Sequence, residues 1–404
     1  VNVKGKRVVL GVTGSIACFK AAQLCSTLVQ LGAVVDVILT ESAQKFITPL
    51  TFQALTRRPV YTDLYDVLPD LSSAHVEVGM RADVLVVCPA SATTLSRLAH
   101  GSAEDMLSCT ALATGAPLVI APAMNVNMWQ HPATQANMTL LRERGAIQVG
   151  PVDGRLAEGI TGMGRLAPLE DVVAAVRVAL NKPGTLSGRR VVVSAGGTQE
   201  PLDPVRYIGN RSSGKMGYAL AEAARDRGAA VTLVSGPSAL AAPWGVHIER
   251  VETASEMLAT ILAASDGADA LIMSAAVADF RPESAAEHKI KKQTGDALAL
   301  RLVQNDDILK RVHERFGDRL IKIGFAAESR DVVEEAARKL SAKGLHLICA
   351  NDVTEAGSGF GTDTNRVILL GRDGTREDLP LLAKDAVAER ILDRLEQLLP
   401  LRQL

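Results

Sequence analysis

No stretch of this 404-residue sequence approaches the ~18 consecutive apolar residues that a membrane-spanning helix requires, so no membrane partner is expected. Charge of one sign is equally lacking. Lys and Arg number 44 against 45 Asp and Glu, a net −1, which argues against a nucleic-acid groove or an anionic membrane surface as partner. The five cysteines, at 18, 25, 88, 109 and 349, form no CxxC pair and sit mostly in apolar runs. They read as reduced thiols of a cytoplasmic protein and not as metal ligands. Neither GxGxxG nor GxxxxGK[ST] occurs, which removes the dinucleotide fingerprint and the P-loop. Lys4, Lys6 and Arg7 precede an apolar stretch as in a leader, but Thr13, Gly14 and Ser15 interrupt it. Residues 8–12 are therefore expected as a buried parallel strand.

What is present is the composition of an α/β protein: 47% hydrophobic, 22% charged, and 33 glycines for strand-to-helix turns. At ~100–200 residues per domain the length allows two to four domains, and two fit the pattern. Strand-like runs at 7–12, 34–39, 84–88 and 117–121 alternate with helical periodicity such as 16–31. This alternation predicts a doubly wound, mostly parallel sheet. A helix at 169–180 is followed by residues 181–188, NKPGTLSG, whose composition is that of a linker. The pattern then restarts with runs at 190–194, 230–234, 270–274, 322–326 and 345–350, and an amphipathic helix at 385–399 closes the chain. The expected domains are thus 1–180 and 189–404.

Residues 194–217, SAGGTQEPLDPVRYIGNRSSGKMG, follow an apolar strand. Gly196 and Gly197 free the turn, Thr198 offers a hydroxyl, and Ser212-Ser213-Gly214-Lys215 opens a helix whose N–H groups and positive dipole end suit an anion. The first half carries four separated signals at strand ends. These are GVTGSIA (11–17) with Gly14 and Ser15, Thr40-Glu41-Ser42, PASATT (89–94) with Ser91, Ala92 and Thr93, and PAMNVNMW (122–129) with Asn125. Each alone is a turn or a helix cap. Four strand ends offering polar groups along one edge are how such sheets build a site.

The string 194–217 resembles, nearly letter for letter, the ligase half of the bifunctional phosphopantothenoylcysteine decarboxylase and phosphopantothenate–cysteine ligase family of coenzyme A biosynthesis. The four signals of the first half are similar to the flavin-containing cysteine decarboxylases. The resemblance runs from Lys6 to about Gly371. It implies a flavodoxin-like flavin domain followed by a Rossmann-like ligase domain. The implied cofactor is FMN, with Gly14 and Ser15 near its phosphate and Ser42, Ser91, Ala92 and Thr93 along the ring and ribityl chain. His75 falls where the family has its essential base, and Asn125 would hold the departing carboxylate. A cysteine carboxylate attached through an amide has no electron sink; oxidising the thiol-bearing carbon to a thioaldehyde supplies one, and the enethiolate left by loss of carbon dioxide is then reduced. Residues 154–165, GRLAEGITGMGR, match the family's active-site flap, with Glu158 where the family has a proton-donating cysteine. A Glu shielded from water by a lid can be protonated near neutrality and serve as that donor; a solvated Glu without a role is the other reading.

In the second half the resemblance implies that CTP with Mg²⁺ activates the carboxylate of 4'-phosphopantothenate as an acyl-cytidylate, and that the amine of cysteine displaces CMP. Lys289, Lys339 and Lys343 would supply charge, with Lys289, in the run Lys289 to Lys292, the residue that matters most to turnover. Ala275, Asp279, Asp306, Asp307, Ile308, Leu309 and Phe325 would hold nucleotide. Asn210 would contact the acyl-cytidylate and Arg206 the substrate. Family members assemble through trimeric flavin domains and dimeric ligase domains, which combine into a dodecamer. A second reading keeps the ligase and makes the first half a flavin-binding regulatory or assembly module without turnover.

Overall fold

The computed structural model describes residues 3–65, 73–291, 299–328, 331–352, 359 and 361–400. The chain divides into two units, Val1–Lys182 and Pro183–Leu404. Among the described residues no helix is long and apolar enough to cross a membrane.

The first unit runs β1 (Arg7–Val12), α1 (Cys18–Gln30), β2 (Val34–Leu39), α2 (Glu41–Gln44), α3 (Pro49–Thr56), β3 (Val60–Tyr61), α4 (Ala74–Arg81), β4 (Val84–Ala90), α5 (Ala92–His100) and α6 (Met106–Ala113). It continues through β5 (Leu118–Pro122), α7 (Val126–Gln130), α8 (Pro132–Glu143), β6 (Ile147–Gln148), the hairpin strands β7 (Val152–Arg155) and β8 (Thr161–Arg165), and α9 (Leu169–Leu180). β1 and β4 read as unbroken apolar runs because helices cover both faces of the sheet. The strand order is β3-β2-β1-β4-β5-β6, and every pairing is parallel. Without the two-residue edge strand β3, this is the doubly wound order of flavodoxin-like sheets. The thiols of Cys18, Cys25 and Cys88 lie in this packed interior, and burial pushes Cys25 and Cys88 up to about 12.

The second unit runs β9 (Arg190–Ala195), β10 (Gln199–Pro201), β11 (Tyr207–Gly209), α10 (Lys215–Asp226), β12 (Ala230–Ser235), β13 (His247–Arg250), α11 (Ala254–Ala264), β14 (Ala270–Met273), β15 (Phe280–Pro282) and β16 (Leu302–Gln304). There follow α12 (Ile308–Phe316), β17 (Ile321–Glu328), α13 (Val332–Ala342), β18 (Leu347–Asp352), β19 (Thr364–Asn365), β20 (Ile368–Gly371), β21 (Arg376–Asp378), β22 (Leu382–Ala383) and α14 (Lys384–Leu398). The sheet order is β13-β12-β9-β14-β17-β18-β20-β21, with β20 and β21 antiparallel. Its first six strands have the Rossmann order. One face packs on α10 and α14, which bury Leu220, Ala221 and Ala224 and Val387, Ile391 and Leu395 at helical spacing. The other face packs on α11, α12 and α13 through Met257, Ile261, Leu309, Val312, Ala336 and Leu340.

Residues 183–188 are not a free spacer. Leu186 is 1% exposed, its N–H donates to Arg227 O at 2.8 Å, and a Cβ at Gly184 would stand 2.1 Å from that same carbonyl. The Pro, Gly and Ser that read as linker shape a packed turn, because a single apolar residue among them finds a hole in the core.

Candidate functional site

In each unit the strand order reverses once within the parallel sheet, and the carboxyl ends of the strands at that point are where open α/β sheets bind ligands. In the first unit the reversal lies between β1 and β4. Thr13, 1% exposed, fastens the two ends together: its Oγ1 donates to Pro89 O at 2.8 Å and accepts from Ser91 N at 2.9 Å. A Cβ at Gly14 would meet Ser42 Cβ at 2.5 Å, so glycine is what lets the β1 and β2 loops close on each other. Ser15 Oγ accepts from Ala17 N at 3.3 Å and donates to Ala123 O at 3.4 Å, reaching the loop after β5. α1 has no side-chain cap at Ala17, and although Cys18 N donates to Ser15 O at 3.0 Å and Lys20 N to Ala17 O at 2.9 Å, the positive end of its dipole lies beside Gly14 and Ser15.

Ser91 caps α5 by accepting from Thr94 N at 3.3 Å, and half-buried Ala92 and exposed Thr93 form the first turn behind it. Asn125 Oδ1 accepts from Asn127 N at 2.8 Å; the oxygen is spent on this cap, and the amide nitrogen remains as donor. The β7–β8 hairpin is seated on the same loop. Met124 N donates to Gly164 O at 3.0 Å, and a Cβ at Gly164 would lie 2.3 Å from Met124 O. The flap and Asn125 are thereby joined.

Two expected residues stand apart. Glu158 is exposed at the hairpin tip, in the turn closed by Leu156 N donating to Ile160 O at 2.8 Å. The shielding from water expected of a closed lid is not supplied within this chain. His75 is half-buried in the first turn of α4, and among the described residues its ring makes no hydrogen bond. α4 ends where Asp83 N donates to Arg7 O, at the start of β1, so the helix runs antiparallel to the strands and carries His75 toward the crevice edge.

The second unit's crevice, between β9 and β14, holds a cavity of about 440 Å³. Its floor is a zipper between two loops. Ala275 N donates to Ser194 Oγ at 3.0 Å, Ala276 N to Gly196 O at 2.9 Å, and Ala278 N to the fully buried Thr198 Oγ1 at 2.9 Å. Gly196 has φ +78°, and a Cβ there would stand 2.9 Å from Gly236 O. Asn210 lies over this floor, donating from Nδ2 to Ala276 O (3.2 Å) and Val277 O (3.1 Å). Ser212, Gly214 and Lys215 line the cavity, and Gly214 gives α10 no side-chain cap.

Ala275, Asp279, Asp306, Asp307, Ile308, Leu309, Phe325 and Lys343 also line it. Lys343 pairs with Asp307 at 3.0 Å, Asp307 caps α12 through Lys310 N at 3.2 Å, and Asp306 pairs with Arg311 at 2.9 Å. Lys339 is not in the lining; it is neutralised by Glu328 at 2.5 Å. Lys289 is exposed and also outside the lining, and Lys292 lies outside the described residues. Arg206 is bound to the buried carboxylate of Asp203 (Nη2 to Oδ2, 2.5 Å) and donates to Ile290 O at 2.8 Å. Ile290 N in turn donates to Asp203 Oδ2 at 3.1 Å, so the segment carrying Lys289 is clamped from its neighbour. The Arg206 guanidinium, against the opposing effect of burial and with help from the N–H groups of Val205, Ile290 and Arg206, holds the Asp203 carboxyl far below the usual carboxylate range. Asn351, Asn365 and Lys384 line the cavity without having been legible in the sequence; they are brought in by β18, β19 and α14 from far along the chain.

Residues 1–181 match the Flavoprotein family, and residues 186–399 match the DNA/pantothenate metabolism flavoprotein C-terminal domain. The chain is 45% identical to the coenzyme A biosynthesis bifunctional protein CoaBC of Bacillus subtilis (strain 168), over 98% of each chain. It is 44% identical to the protein of that name from Vibrio cholerae, over 97% of this chain and 98% of that one. With the Mycobacterium tuberculosis (H37Rv) protein of that name it shares 42% identity over 96% of each. Two switch-point crevices in the order flavoprotein then C-terminal domain, matched over nearly the whole length, place this chain in the family of coenzyme A biosynthesis bifunctional proteins.

Proposed function

We propose that the second unit joins 4'-phosphopantothenate to cysteine through an acyl-cytidylate made from CTP, and that the first decarboxylates the product to 4'-phosphopantetheine with FMN. The observation that carries this reading is that each unit has its own switch point, differently furnished: hydroxyls and an amide at the strand ends of the first, lysines and carboxylates around the cavity of the second.

The first crevice fits FMN. The uncapped start of α1 beside Gly14 and Ser15 suits one phosphate monoester, and Ser42 and Ser91 to Thr93 leave small side chains along the edge. Bound FMN would supply the electron sink that the substrate lacks. Asn125, with its oxygen committed to a cap, presents N–H groups to the substrate carboxylate. His75 takes the proton of the substrate thiol. The hairpin, anchored at Met124, excludes water above Asn125. Ile16 and Phe19, 61% and 64% exposed, follow Ser15 at the start of α1 and offer apolar surface to a neighbouring copy, and a copy that also covered the hairpin tip would shield Glu158 as proton donor. That arrangement suits the trimeric flavin domain of the reading.

In the second crevice, α12 and α13 present Asp306 to Leu309 and Lys343 to the nucleotide, while the start of α10 faces the acyl substrate's phosphate. Among the described residues no group of three or more His, Cys, Asp or Glu could hold a metal ion. Mg²⁺ would therefore ride on the triphosphate, with Asp279 the carboxylate at hand. Lys289, next to the clamp at Ile290, would close over the triphosphate once it is bound. The carboxylate attacks the α-phosphorus with loss of pyrophosphate, and the cysteine amine then displaces CMP.

The exposed Glu158 favours the second reading, a flavin-binding first unit without turnover. Supplying 4'-phosphopantothenoylcysteine alone and measuring carbon dioxide separates the two. Release with turnover supports the decarboxylase; flavin binding without release would leave an assembly module.

A further inference from the structure

α14 begins inside the second unit's cavity. Its first residue, Lys384, is 8% exposed, and its Nζ donates to Thr362 O at 2.6 Å and Gly359 O at 3.2 Å. Among the described residues no carboxylate lies within ion-pair distance of it. An ammonium carries three donors, and two are satisfied here by carbonyls. A buried cation without a counter-charge is costly, and burial, then Lys215, pull its pKa down against a smaller opposing effect of Asp363. Such a group calls for an anion.

The surroundings agree. Lys215 opens α10 as Lys384 opens α14, and neither helix has a side-chain cap at Gly214 or Ala383. Both helices pack on the same face of the sheet, and both start at the cavity. This end of the cavity thus gathers two lysines and two positive helix ends against two exposed carboxylates, Asp363, which is 88% exposed and paired with Lys215 at 2.6 Å, and Asp385, which accepts from Ala386 N in the first turn of α14. The nucleotide-side groups, Asp307, Lys343 and the start of α12, belong to the opposite face. A ligand spanning the carboxyl edge would therefore meet one anion site on each side.

We propose that Lys384 binds the phosphate monoester of the acyl substrate and makes the ligase select the phosphorylated over the unphosphorylated acid. This rests on the ligase reading above. The terminal helix then contributes a substrate-binding group as well as packing.

The test uses the full chain with Lys384→Met and Lys384→Arg, measuring KM for 4'-phosphopantothenate, KM for CTP, and inhibition by pantothenate. Losing a charge-assisted bond should raise KM for 4'-phosphopantothenate in Lys384→Met by roughly 10- to 100-fold. KM for CTP and the pantothenate inhibition constant should stay within about twofold, and Lys384→Arg should recover most of the loss. Equal weakening of both acids would mean that the lysine only props the backbone at Gly359 and Thr362, and a raised KM for CTP would mean that it serves the triphosphate; either overturns the proposal. Should Lys384→Met not fold, the wild type is read by thermal shift. Stabilisation by 4'-phosphopantothenate that disappears in Lys384→Gln, with pantothenate equally weak on both, supports the proposal, and an unchanged shift refutes it. A wild type that ligates neither acid would instead remove the ligase reading itself.

Discussion

Thr13 shows how much one hydroxyl holds. It is buried and bonds Pro89 O and Ser91 N, so it ties together the two strand ends that flank the switch point. Thr13→Val keeps the shape but leaves a carbonyl and an N–H unpaired. The expected result is a cost of about 1–3 kcal/mol in the first unit's stability and weaker FMN binding by about tenfold, with Thr13→Ser near wild type. Flavin fluorescence titration and thermal melts read both. Nothing in the sequence marked Thr13 over other threonines, because its role depends on a partner 76 positions away. Lys339 errs the other way. The resemblance implies that it supplies charge to the nucleotide, whereas tertiary packing pairs it with Glu328. Arg206 likewise spends its guanidinium on Asp203 and Ile290. Because the Asp203 pKa is lowered, its charge is present above the usual carboxylate range and lost only as pH falls through that depressed value. The clamp is intact at any neutral assay pH.

Among the elements, the parallel strands were the most legible, since strands buried on both faces must be apolar throughout. The run at 190–194 extends to Ala195, and those at 322–326 and 345–350 settle as Ile321–Glu328 and Leu347–Asp352. The edge strands β13 and β21 escaped because their residues are largely exposed and polar, HIER and RED. The β7–β8 hairpin is legible as a flap only through the resemblance of residues 154–165, and its anchorage is not legible in the sequence at all. Gly164 meets Met124 O so closely that any side chain must lift the hairpin. Gly164→Ala should therefore lower decarboxylation by at least about tenfold with ligation unchanged, whereas Gly159→Ala, at the open tip, meets no neighbour and carries only the strain of its φ of +85°, so it should cost less. Carbon dioxide release by the two variants compares them directly.

At the scale of the whole molecule, the two units should respond separately, and pH offers one handle. Burial, with Arg372 and Lys322 nearby, lowers the His346 pKa to about 4, partly offset by Asp318. Its folded form resists protonation that the unfolded chain accepts near pH 6.5, so stability is unaffected above that value and falls as pH drops from about 6.5 to about 4. The loss amounts to about 3 kcal/mol by the end of that window. His346→Asn, which keeps an acceptor for Lys322 N, should flatten this acid limb. Each unit has one tryptophan, Trp129 and Trp244, so urea unfolding followed by Trp244 fluorescence in a Trp129→Phe background isolates the second unit. Chemistry offers the other handle. Lys289→Gln should abolish ligation and spare decarboxylation of supplied 4'-phosphopantothenoylcysteine, and His75→Asn should do the reverse.

The central claim is that one chain performs both steps in sequence. The direct measurement incubates the FMN-loaded protein with 4'-phosphopantothenate, CTP, Mg²⁺ and cysteine labelled in its carboxyl carbon, and follows products by mass analysis. The account predicts CMP and pyrophosphate, transient labelled 4'-phosphopantothenoylcysteine, and then unlabelled 4'-phosphopantetheine with the label in carbon dioxide. Labelled 4'-phosphopantothenoylcysteine that accumulates with no carbon dioxide, or no amide product at all, would contradict it.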